Sequence, residues 1–172
     1  MSYVMIEAAN LWASYSRCLF ISAALGARDS AGNRLVTTPA ADESYAIDLA
    51  VHAIRPKLRG VRKTWSRQEQ PDWQNKGHLA KAVKYIGAAI WPEVDAAVSY
   101  PSRVLQDLPT MRNFYAHKAE RAAVSAMALG PRYGVTRRMS PHDLLCTSPP
   151  GASDVLVNEW LADLQAIFSL MP

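Results

Sequence analysis

The sequence predicts an all-α fold: a bundle of four or five main helices, with a long irregular segment before the last. Three observations carry this. Apolar residues recur at helical spacing in several separate segments. The 11 Pro and 8 Gly residues fall largely between those segments. No segment alternates with period two and β-branched enrichment, and the longest candidate strand, Arg34-Leu35-Val36-Thr37-Thr38, is too short to build a sheet. The 172 residues suit one hydrophobic core, so a single domain over residues 1–172 is expected.

In the first helix, which begins near Val4 and stops at Gly26, Ala8, Leu11, Trp12, Tyr15, Cys18, Leu19 and Ser22 form one stripe. Cys18 is expected there as a small buried hydrophobe. After the turn-forming Asp29-Ser30-Ala31-Gly32-Asn33, Thr38-Pro39 offers an N-cap and a first-turn proline. The second helix is therefore expected from about Pro39 or Asp42 toward Trp65, kinked or broken near Pro56. Past the polar stretch Gln68 to Asp72, the residues Leu79, Ala82, Val83, Ile86 and Ile90 mark a third helix.

Pro92 begins a short helix through Val98, Pro101 opens another reaching Leu108, and Pro109 precedes the longest. The stretch from Thr110 to Leu129 has no Gly or Pro and is rich in Ala, Glu, Arg and Met, so it reads as one uninterrupted helix. Gly130-Pro131 ends it. Residues 131–153, with Gly134, Pro141, Pro149, Pro150 and Gly151, read as an extended surface loop. The last helix spans about Asp154 to Leu170, with Val157, Trp160, Leu161, Leu164, Ile167 and Phe168 on its apolar face. The Trp residues are read as core anchors, since Trp12 and Trp160 fall on apolar stripes.

The formal net charge of +4 suits an anionic partner. Cys18 and Cys146 lie far apart without Cys-x-x-Cys or Cys/His spacing, so neither a disulfide framework nor a zinc site is expected, and a reducing cytoplasm fits. The first 27 residues lack a basic leading region, Glu7, Asn10 and Arg17 interrupt their apolar character, and no run approaches the roughly 20 apolar residues of a membrane span. The chain is read as cytoplasmic and unprocessed, with no membrane partner. His52, His78, His117 and His142 form no His-x-x-x-His or Glu-x-x-His pair, so no metal or other cofactor is expected. A dinucleotide-binding glycine motif, a Walker loop and a Gly-x-Ser-x-Gly elbow are all absent, which leaves those enzyme classes without support.

What remains is Met111-Arg112-Asn113-Phe114-Tyr115-Ala116-His117-Lys118. These residues resemble the signature of the HEPN family (higher eukaryotes and prokaryotes nucleotide-binding): an Arg, four to six residues, then a His, commonly with a polar residue after the Arg. Arg112 and His117 match with four residues between, and Asn113 fills the polar position. Arg137 and His142 have the same spacing, but Ser140-Pro141 interrupts that stretch. On a helical projection Met111, Tyr115, Ala122, Ala126 and Leu129 share an apolar stripe. Asn113 and His117, four apart, lie together on the far side.

Metal-independent RNA cleavage needs a base for the 2′-hydroxyl proton, an acid for the leaving 5′-oxygen and a cation for the charge on phosphorus. Histidine does either proton job near neutral pH, and the Arg fork matches phosphate oxygens. One motif supplies one His, so two facing copies are favoured, and the resemblance likewise implies a homodimer with a composite site. Arg112 is then the phosphate ligand, His117 the general base or acid, and Asn113 the group that orients the His or a phosphate oxygen. The resemblance further implies a HEPN-like helical bundle and an endoribonuclease toxin or phage-defence effector, held in check by an antitoxin or defence-system partner protein. In toxins paired with a nucleotidyltransferase, a Tyr follows two residues after the motif His. Here that position is Ala119, so that regulation is not carried over. The alternative is a non-catalytic HEPN-like module that binds a nucleotide or a partner protein through the same face.

A second basic feature is Arg55, Lys57, Arg59, Arg62, Lys63 and Arg67. On a helix Arg55, Arg59 and Arg62 share a face that follows a phosphate backbone, with Trp65 as a stacking surface. Arg55, Arg59, Arg62, Lys63 and Lys118 are accordingly the candidate RNA-binding residues. A solvated helix end explains the same run equally well. Arg132, Arg137 and Arg138 form a smaller basic set in the late loop.

Overall fold

The all-α expectation holds. A computed structural model describes residues 1–61 and 63–172. Among the described residues eight helices follow one another as α1 (Ser2–Ala24), α2 (Glu43–Ile54), α3 (Lys76–Tyr85), α4 (Trp91–Val98), α5 (Val104–His117), α6 (Glu120–Met127), α7 (Pro141–Leu145) and α8 (Leu156–Leu170), with 3-10 turns at Pro56–Leu58 and Gly130–Tyr133. Among the described residues no strand forms, and a single isolated bridge pairs Arg28 with Arg34. No helix among them is long and apolar enough to cross a membrane.

The chain divides into two compact units, one of Met1–Leu11 and Pro101–Ser169, the other of Trp12–Tyr100 and Leu170–Pro172. In the second unit α2 packs on α3 and α3 on α4 around buried Ala46, Val51, Leu79, Val83 and Val94. The helix starts are capped by side chains, as Asp42 accepts the Tyr45 N–H at 2.8 Å and Asn75 accepts that of Gly77 at 2.9 Å. Gly26, at φ 87°, turns the chain after α1, and a Cβ there would stand 2.8 Å from the Pro39 ring.

In this unit the second helix starts after Asp42 and breaks near Pro56, as expected, but does not resume toward Trp65: Pro56 disfavours helical geometry at Arg55, which sits at φ −124° and ψ 77°, and Gly60 then turns at φ 89°. The expected stripe of α1, a helix whose residues fall in both units, is corrected: its buried residues include Met5, Ala9, Trp12, Ser16, Phe20 and Ala23, whereas Leu11, Cys18 and Ser22 are exposed. Both stripes pass through Trp12. Alanines let a neighbour approach closely and so define the packed face as much as the larger side chains do.

In the first unit α6 packs on α5 and α7, and the core includes Leu105, Leu108, Met111, Leu144, Leu145, Leu156, Trp160 and Ile167. Two corrections follow here as well. The stretch 110–129 is not one helix. α5 begins earlier, at Val104, whose N–H is accepted by Ser102 Oγ at 3.1 Å, and it runs through Pro109. It stops at Lys118, which adopts a left-handed φ of 49°, and Ala119 is extended before α6 begins. No Gly or Pro marks the break, and with the chain turned at Lys118 both Met111 of α5 and Ala126 of α6 are buried, α6 packing on α5 and α7. Residues 131–153 are likewise not simply a surface loop. Ser140 caps α7 by accepting the Asp143 N–H at 3.1 Å, and α7 buries Pro141, Leu144 and Leu145.

A left-handed residue after a helix favours glycine, whereas glycine inside a continuous helix costs about 1 kcal/mol. Lys118→Gly should therefore match wild-type stability or exceed it by up to about 1 kcal/mol, and Lys118→Val should lose about 1–2 kcal/mol, because a β-branched side chain clashes in that conformation. Denaturant midpoints of the two variants check both signs.

Candidate functional site

The Arg-x4-His motif lies at the C-terminal end of α5, in the first unit, rather than in the first turns of a long helix. Met111 is buried, Arg112 half-buried, and Asn113 and His117 are exposed on the same side, four residues apart. Arg112 Nη1 donates to Asn113 Oδ1 at 3.2 Å, so the asparagine oxygen holds the guanidinium. His117 is the last helical residue and Lys118, exposed, the residue that ends α5. Cations are favoured here, because the final carbonyls of a helix carry partial negative charge.

Two polar atoms at this end of α5 are buried without a hydrogen-bond partner, Arg112 Nε and the Tyr115 hydroxyl. Each such atom costs roughly 1–3 kcal/mol. Burial pushes the Tyr115 phenol above its ordinary value, and the neighbouring Cys146 adds to the shift. The Phe114 and Tyr115 rings meet edge to face at 4.9 Å.

Farther up the same helix, Asp107 is fully buried and satisfied. It accepts from Arg132 Nη1 at 2.5 Å and from the Tyr133 hydroxyl at 2.8 Å, and the Tyr133 ring lies 5.8 Å from that of Trp160. Burial, and next the Asp107 charge, push the Tyr133 phenol far up. Arg132, grouped with Arg137 and Arg138 by sequence, is thus committed to a structural pair. A signal for this cluster was present, since Asp107 interrupts the apolar series Leu105, Leu108 and Met111, and a carboxylate so placed needs a buried partner.

The basic run lies in the second unit and does not form one helical face. Arg55 follows the end of α2 and donates to the Glu69 carbonyl at 3.1 Å. Arg59 lies over the Tyr85 ring, 5.2 Å from its centroid, and Lys63 pairs with the Glu69 carboxylate while standing 4.6 Å above the Trp65 ring. Arg62 falls outside the described residues. Trp65 is buried, its indole donating to the buried Asp48, so it offers no stacking surface. A depression of about 390 Å³ in this unit is lined by Ala41, Asp42, Ser44, Tyr45 and Asp48, whose carboxylates suit a cation rather than phosphate. Among the described residues no three His, Cys, Asp or Glu side chains converge to hold a metal ion.

Compared with family models, with curated proteins and with solved structures, the chain matches none.

Asp107→Ala leaves the buried Tyr133 hydroxyl without its acceptor, and a loss of about 1–3 kcal/mol is expected in denaturant unfolding. Glu69 is held at about 2 first by the hydrogen bond from Lys63 and next by those from Ser66. Because the folded carboxyl lies below its ordinary 4.5, its contribution to stability is complete above that pH and is lost as the pH falls toward 2. Lys63→Ala should raise the Glu69 midpoint toward 4.5, read from its side-chain carboxyl resonance during an acid titration.

Proposed function

We propose that the chain is a metal-independent endoribonuclease that acts as a homodimer through Arg112, Asn113 and His117. The observation that carries this reading is the joint placement of the three residues at one helix end. Asn113 Oδ1 holds the half-buried Arg112 guanidinium, and the His117 imidazole is exposed on the same side as Asn113. Arg112 binds the scissile phosphate with the donors it does not share with Asn113 and stabilises charge on phosphorus. His117 of one copy takes the 2′-hydroxyl proton, and His117 of the second protonates the leaving 5′-oxygen, so the products carry 2′,3′-cyclic phosphate ends or their hydrolysed form. Asn113 positions Arg112, a narrower role than orienting the His. The family resemblance of these residues supports an effector role as a growth-arresting toxin or in phage defence, with an antitoxin or other partner protein restraining it in the cytoplasm.

The assay is cleavage of total cellular RNA by the purified protein in the presence of chelator, with analysis of the fragment ends. Wild type is expected to cut, and Arg112→Ala and His117→Ala should each lower the rate by about 10²–10⁴-fold. Equal cutting by wild type and both variants, or none by any, would sink the catalytic reading.

A further inference from the structure

The other Arg-x4-His match contains a second arrangement that the proposed nuclease site does not use. His142 and Cys146 are four residues apart on the single turn of α7, and Cys146 Sγ lies 3.9 Å from His142 Nε2. Both side chains are exposed, and Cys146 is a free thiol. The turn is not mobile decoration. Pro141, Leu144 and Leu145 are buried beneath it, Ser140 caps its start, and the Cys146 N–H bonds to the carbonyls of His142 and Asp143 at 3.2 and 3.1 Å. The backbone that carries the histidine and the sulfur is therefore fixed, and both side chains face solvent.

A second observation points to the same sulfur. The Tyr115 hydroxyl on α5 is buried, has no hydrogen-bond partner, and lies within electrostatic reach of Cys146. The hydroxyl is thus an uncommitted polar group whose electrostatic environment includes that sulfur. Cys18 provides an internal contrast. It is also exposed and free, but among the described residues no histidine bonds to it.

We propose that Cys146 is a thiol modification site, activated by His142, whose reaction partner is a low-molecular-weight disulfide. The Cys146 thiol gives its proton to His142 Nε2, and the thiolate attacks one sulfur of the disulfide. A new S–S bond forms between Cys146 Sγ and that sulfur as the original S–S bond breaks. The second sulfur leaves with the bonding electron pair and takes the proton back from the imidazolium. Cys146 is oxidised to a mixed disulfide while one half of the small disulfide is reduced to a thiol, so atoms and electrons balance. The product places its new group beside Tyr115, on the helix that carries Arg112 and His117. The site stands independently of the nuclease reading.

The test uses the full chain and glutathione disulfide, with the rate of adduct formation at each cysteine followed by intact mass and peptide mapping. Cys146 should react about tenfold faster than Cys18, and His142→Ala should bring it to within about twofold of Cys18 without changing the rate at Cys18. Reaction at Cys146 no faster than at Cys18, or unchanged by His142→Ala, overturns the proposal. So does a loss of rate at both cysteines together, since the histidine would then act only through the fold.

Discussion

Lys118 takes a left-handed backbone, φ 49° and ψ 24°, in a stretch that contains no glycine, and the character of the candidate site follows from that residue. An L-residue in this region is disfavoured by about 1–2 kcal/mol and persists only where its surroundings over-determine it. Here the surroundings are two packing demands. α5 must bury Val104, Leu105, Leu108 and Met111, and α6 must bury Ala126 while packing on both α5 and α7. One straight helix could not pack its second half against its first, as α6 packs on α5. The chain therefore turns immediately after His117, and residues 116–121 are all exposed. A histidine in mid-helix is flanked by turns above and below, whereas one in the last position has open space on its C-terminal side. That open space is what a substrate phosphate or a second copy of the chain would need.

The two ends of α5 treat polar groups in opposite ways. Toward its start, Asp107 is buried with both oxygens engaged, one by Arg132 and one by Tyr133, so the charge is neutralised and the 3-10 turn Gly130–Tyr133 is tied to the helix. Toward its end, Arg112 Nε and the Tyr115 hydroxyl are buried with no partner. A fold tolerates a few such losses, and among the described residues Ser16 Oγ, Trp73 Nε1 and Trp160 Nε1 share them. The Asp107 cluster anchors the helix, and the two unpartnered atoms at its other end lie on residues of the proposed RNA motif segment. Rigid support next to uncommitted donors is the arrangement that both proposals require.

Legibility in the sequence divided along physical lines. Elements ended by strong local chemistry were readable: Gly26 after α1, Pro92 at the start of α4, and most of the apolar series of α8, where Val157, Trp160, Leu164 and Ile167 are buried while Leu161, expected with them, is exposed and Phe168 half-buried. The break at Lys118 was not readable, because no Gly or Pro marks it and the packing of α6 back on α5 is a tertiary feature. The start of α5 was misplaced for a related reason, since a proline marks a helix start only when the residues before it are not already helical, and here Val104–Leu108 are. The face of α1 was ambiguous because apolar residues surround most of that helix, leaving alanines to decide. At the site, the shared side of Asn113 and His117 was legible from their spacing. The bond from Arg112 to Asn113 was not, because a flexible side chain chooses its partner from three-dimensional surroundings.

Charge separates the two units in a way that composition conceals. The unit with the motif holds seven Lys and Arg against seven Asp and Glu, while the other holds twelve against eight, so the whole excess of +4 belongs to the unit without the motif. Within that basic unit, moreover, Arg55, Arg59 and Lys63 are already engaged by the Glu69 carbonyl, the Tyr85 ring and the Glu69 carboxylate. Net charge is thus a poor guide to where an RNA would lie. Affinity for a polyanion depends on how many cations meet phosphates and release counterions, not on the sum over a domain. In the motif unit Asp107 is buried, whereas beside His117 the cations Lys118 and Arg121 are exposed together with one acid, Glu120. Two exposed cations and one acid around a single histidine offer room for a short contact and not for a continuous phosphate-binding track, so any affinity for RNA here would depend on a few local groups and not on net charge.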